Sequence, residues 1–121
     1  RGDYLSNVDD AEVHGERFTG ACDVAVLDGF VLAVRRSLLD RVGGFKSISG
    51  NADFFCYDYA VCALARRYGY RTRVVGVRCH HKGGGTSVGE AAGRITSQAE
   101  YDRSHRWFYE EFADVMPWRC R

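Results

Sequence analysis

Apolar positions along the chain gather in three runs separated by polar, glycine-rich ground. The first holds Val24, Val26 and Leu27, then Phe30 to Val34, with a break at Asp28-Gly29. This predicts two strands with a kink or bulge at the break, or a hairpin whose turn is Asp28-Gly29. In the second run Val61, Leu64, Ala65 and Tyr68 fall at i, i+3, i+4 and i+7, the stripe of an amphipathic helix. Asp58 stands just ahead of the stripe, where the first free N–H groups want an acceptor, and Gly69 follows it as a terminator. Thr72 to Cys79 then reads as a strand delivering His80 and His81 to its end. The third run places Tyr101, Phe108, Phe112 and Val115 at helical spacing, with Trp107 flanking and Pro117 as the stop.

Shorter signals fill the gaps. Ser37-Leu38-Leu39-Asp40 resembles a capping box that starts a short helix ended by Gly43-Gly44, with Phe45 as a core anchor. Ser97 and Glu100 form a second such box before the last helix. Residues 1–21 are polar and glycine-punctuated, and read as a loop or frayed end. The chain is therefore expected to be one α/β domain over 1–121, with a small mixed sheet, two or three helices and a site built from loops.

Composition narrows the field only modestly. The 121 residues suit one modest core, and 45% hydrophobic with 27% charged residues is ordinary globular usage. A net charge of +1 gives no general electrostatic case for nucleic acid, and no apolar run reaches a membrane span. Five cysteines without C-x-x-C spacing argue against a disulfide framework and a zinc ribbon, and so for a reducing, cytoplasmic setting.

The best site candidate runs from Asp53 to Ser87, where carboxylates, imidazoles, a cation and a glycine loop are gathered. Asp58 suits a general base, and its plainer reading is a helix cap; Asp53 is the fallback carboxylate. His80 and His81 point to opposite faces if the strand continues, so one is free to bind metal while the other packs. Lys82 offers charge to phosphates, and Gly83, Gly84 and Gly85 form a loop able to close over them. A zinc site from Cys79, His80, His81 and distant Cys56 lacks recognisable ligand spacing. Asp28 is either a site contact or an Asp-Gly turn residue. Arg35 and Arg36 divide between phosphate contact and surface pairing. Trp107, Phe108 and Tyr109 offer a sugar-stacking platform or, more simply, core.

The order of three segments resembles the C-terminal half of family 2 glycosyltransferases with the GT-A fold. They are LDGFVLAVRRSLLDRVGGF, FFCYDYAVCALARRYGYR and VRCHHKGGGTS, covering roughly residues 24–87. The resemblance implies that the segment before the glycine pair, with Asp28, lines the acceptor side, together with Asp53 and Tyr57. It implies Asp58 as catalytic base, and His81 with His80 at a Mn²⁺ or Mg²⁺ ion on the donor diphosphate. Lys82 and Gly83–Gly85 would form the donor loop. The implied partners are a nucleotide-sugar and a glycan or other hydroxyl acceptor. These residues carry no D-x-D motif of the family's nucleotide-binding half. The resemblance thus implies a partial GT-A-like domain, weak or inactive alone. The competing expectation is a truncated, non-catalytic fragment acting as a binding or oligomerisation module.

Overall fold

The computed structural model describes residues 5–6, 8–9, 16–45, 48, 55–80 and 98–116. In chain order the elements are β1 (Leu5–Ser6), β2 (Val8–Asp9), β3 (Glu16–Arg17), β4 (Ala21–Asp23), α1 (Arg36–Val42) and α2 (Tyr57–Arg67). They continue with β5 (Arg73–Val75), β6 (Cys79–His80), α3 (Gln98–Glu111) and a 3-10 turn at Ala113–Val115. The result is a small mixed α/β fold.

Strands pair across long stretches of sequence. β4 and β5 are antiparallel with Cys22 opposite Val74, while β1 pairs β3 and β2 pairs β6 in parallel. Directly opposed Asp23 and Arg73 also pair through their side chains, Arg73 Nε lying 2.9 Å from Asp23 Oδ1. The Gly76 N–H extends the ladder to the Gly20 carbonyl at 2.8 Å. A Cβ on Gly76 would fall 2.2 Å from the Phe18 carbonyl oxygen, so only glycine permits this approach.

Helix α2 lies at the centre. Ala60, Val61, Cys62, Ala63 and Ala65 are all buried, a far wider face than the Val61-Leu64-Ala65-Tyr68 stripe alone. Small side chains explain the difference: Ala60 and Ala63 are fully buried in one cluster with Phe108 and Phe112 of the C-terminal segment. On another flank the Leu27 N–H donates to the Cys62 thiol sulfur at 3.3 Å. The helix ends as Gly69 predicts: with φ of 77°, Gly69 donates to the Arg66 carbonyl and Tyr70 to that of Ala65. That pair of bonds is a Schellman motif.

Several local expectations are corrected. Residues 22–34 hold only β4, and Asp28-Gly29 is a turn with no strand on its far side. Residues 1–21 are not simply loop, because β1, β2 and β3 lie there. The expected strand from Thr72 to Cys79 is split into β5 and β6 by Gly76–Arg78. Ser37 does not cap α1; its hydroxyl meets the Tyr70 hydroxyl at 3.0 Å, and Arg35 occupies the cap position without a side-chain bond. Gly43-Gly44 does terminate α1, with positive φ at both. Phe45 is 41% exposed and no core anchor. Ser97 and Pro117 lie outside the described residues.

Arg67 ties α2 to the end of α3. Its guanidinium reaches both Asp114 oxygens (2.5 and 3.1 Å) and the Glu111 carbonyl (2.7 Å), and stacks 4.8 Å from the Phe112 ring centroid. Two stability predictions follow from this packing. Phe108→Ala should cost about 3–5 kcal/mol in urea unfolding, the penalty for deleting a buried aromatic ring. Arg67→Met should lower the melting temperature by less, and the deficit should shrink in high salt, because the partners of Arg67 are half exposed.

Candidate active site

The structure brings together three of the residues singled out by sequence: Asp28, Tyr57 and Asp58. Asp28 opens a tight turn in which its Oδ1 accepts the Phe30 N–H at 2.9 Å. The turn rests on the first two residues of α2. The Gly29 N–H donates to Asp58 Oδ2 at 3.0 Å, and the Tyr57 hydroxyl donates to the Gly29 carbonyl at 3.3 Å. Both main-chain polar groups of Gly29 are thus held by neighbouring side chains. A Cβ here would lie 2.0 Å from the Tyr57 hydroxyl oxygen, so any larger residue would displace the Tyr57 ring and its bond to the residue 29 carbonyl.

Asp58 is the second residue of α2 rather than its cap. The cap position belongs to Cys56, which supplies no side-chain hydrogen bond. Asp58 instead accepts the Tyr59 N–H on Oδ1 at 2.8 Å while holding Gly29 with Oδ2. A carboxylate in the first turn also faces the positive end of the helix dipole.

Burial dominates the protonation of this corner. Desolvation pushes the Asp58 carboxyl above its usual range, and the nearby Asp28 charge adds to the rise. The N–H donors of Tyr59 and Gly29 oppose it without cancelling it. Tyr57 is raised by burial and then by Asp58 and Asp28. The thiols of Cys56 and Cys62 are each pushed up to about 11, burial being the main cause, so both are neutral. This corner therefore holds one half-buried carboxylate of raised proton affinity, fixed by two backbone N–H groups.

His80 lies in β6, its backbone paired in register with Asp9 of β2. Asp53, His81, Lys82, Gly83, Gly84 and Gly85 lie outside the described residues. Among the described residues no group of three or more His, Cys, Asp or Glu could hold a metal ion. Trp107 and Phe108 pack in or against the core cluster, whereas Tyr109 is 60% exposed. Arg36 pairs with Asp40 at 2.7 Å on the surface of α1.

Sequence reasoning missed Gly29 and Cys56. Gly29 was readable only as half of a turn signal. The left-handed backbone of Cys56 (φ 63°) leaves no trace in composition or periodicity.

No protein-family model, curated protein or solved structure matches this chain.

The raised Asp58 carboxyl has a definite signature in stability. A folded-state pKa above the unfolded value favours the fold fully below the unfolded pKa, about 4 for an aspartate. That contribution is lost as pH rises through the folded pKa. The stability of the wild type relative to Asp58→Asn should therefore fall with rising pH, beginning near pH 4 and levelling off above the Asp58 midpoint. Urea melts of both proteins between pH 3.5 and 8 check this; a pH-independent difference contradicts it.

Proposed function

We propose that this chain is the acceptor- and metal-side half of a GT-A-type glycosyltransferase, with Asp58 as general base. One observation carries the reading. Asp58 is a half-buried carboxylate of raised proton affinity, and two backbone N–H groups fix it against the Asp28-Gly29-Phe30 turn. That is what proton abstraction from an acceptor hydroxyl requires: a fixed direction and a pKa shifted toward the working pH. Each carboxylate oxygen accepts more than one hydrogen bond, so the two N–H donors leave lone pairs for the incoming hydroxyl.

In the proposed reaction Asp58 takes the hydroxyl proton as the acceptor oxygen attacks the anomeric carbon of the sugar. The bond from that carbon to the nucleoside diphosphate breaks, and the diphosphate leaves with the electron pair. Configuration at the carbon inverts. The Asp28 turn and Tyr57 line the acceptor side, to which the resemblance adds Asp53. The donor side rests on the resemblance alone: His81 and His80 for Mn²⁺ or Mg²⁺, and Lys82 with Gly83–Gly85 for the diphosphate. A nucleotide-binding half completes such a site, so the stretch by itself is weak or inactive. The free thiols Cys22, Cys56, Cys62 and Cys79 agree with a cytoplasmic setting. Among the described residues no helix is long and apolar enough to cross a membrane.

Calorimetric titration with UDP and with GDP, each with and without Mn²⁺, separates the two sides of this proposal. Metal-dependent heat should vanish in His80→Ala/His81→Ala and persist in Asp58→Asn. In any sugar transfer the protein supports, Asp58→Asn should lower kcat by about 10²–10⁴-fold, the usual worth of a general base. Absence of heat with every nucleotide removes the donor site from the reading and favours a non-catalytic binding module.

A further inference from the structure

The start of α2 departs from the usual helix entry. Cys56 has φ 63° and ψ 6°, and among the described residues it is the one non-glycine with positive φ. Side chains with a Cβ disfavour this left-handed conformation, so something must hold it there. Burial does: Cys56 is 5% exposed within the cluster of Ile48, Ala60, Val61, Phe108 and Phe112. Glycine would adopt the backbone freely but leave that space empty. Asparagine tolerates it but would bury an amide.

An ordinary N-cap is extended, and its Ser, Thr, Asp or Asn oxygen takes the N–H two or three residues on. From position 56 those are the N–H groups of Asp58 and Tyr59. The Tyr59 N–H is the one held by Asp58 Oδ1 at 2.8 Å, while Asp58 Oδ2 reaches the Gly29 N–H at 3.0 Å. A capping side chain at 56 would compete for the anchor that fixes one edge of the Asp58 carboxylate.

We infer that Cys56 is a positioning residue: its left-handed, non-capping geometry leaves the Tyr59 N–H to Asp58 and so turns the carboxylate onto Gly29. The catalytic meaning of this rests on the role proposed for Asp58. The orientation itself does not.

Amide NMR tests it without nucleotide or sugar, so its failure is separable from failure of the transferase reading. In the wild type the Tyr59 and Gly29 amide protons should both follow the Asp58 carboxyl as it titrates. In Cys56→Ser, nearly isosteric and able to cap once residue 56 relaxes to the extended form serine prefers, the Tyr59 amide should cease to follow it. The Gly29 amide should then exchange with solvent about tenfold faster as the turn loosens. Cys56→Gly, which accepts the left-handed backbone and cannot cap, should keep both couplings. A folded Cys56→Ser protein with both responses intact overturns the inference. So does loss of the couplings in Cys56→Gly, which is decisive even where the serine protein does not fold.

Discussion

The structure depends on how thin helix α2 is. Ala60 and Ala63 present almost no side chain, so the aromatic rings of Phe108 and Phe112 can close on the helix from one side. On another flank Cys62 is slim enough to accept a main-chain N–H from Leu27. A helix carrying leucine at those three positions would hold its neighbours apart. Because it is slim, α2 serves as the post against which the 24–30 segment and the C-terminal segment are both set.

The candidate site is a product of that arrangement. Once Leu27 is tied to Cys62, the next residues must pass the N-terminal end of α2, and Asp28-Gly29-Phe30 turns there. Gly29 is then gripped through both of its backbone polar groups, by Asp58 and by Tyr57. The energetics are mixed. Burial of the Asp58 charge is unfavourable, and the two N–H donors offset it only in part. A neutral hydrogen-bonding residue could seat the same turn without burying a charge.

What could be read from sequence follows the physics of local and distant interactions. The α2 stripe, the Phe108–Phe112 part of the C-terminal stripe and the Gly43 and Gly69 terminators were legible because they depend on neighbours three to five residues away, whereas Tyr101 is exposed and α3 ends before Val115. Asp28, Tyr57 and Asp58, singled out in the sequence, do lie together, but the hydrogen bonds that join them through Gly29 left no sequence signal. The strands were poorly legible, because each is only two or three residues long and exists through a partner far off in sequence. The Ser37 signal misled for a similar reason: a distant hydroxyl, that of Tyr70, claimed the side chain a cap would have used. The wide burial of α2 escaped because alanine and cysteine carry little weight in an apolar stripe.

The β2–β6 pairing bears on how the protein acquires its shape. It joins Val8–Asp9 to Cys79–His80, closing a loop of about seventy residues that contains α1, α2 and the antiparallel β4–β5 pair. The entropy of closing so long a loop must be met before the two short strands return any favourable contact. The Cys79–His80 end of the molecule thus owes its place to a pairing distant in sequence. Its placement reports whether the whole chain, and not merely its helical centre, has folded.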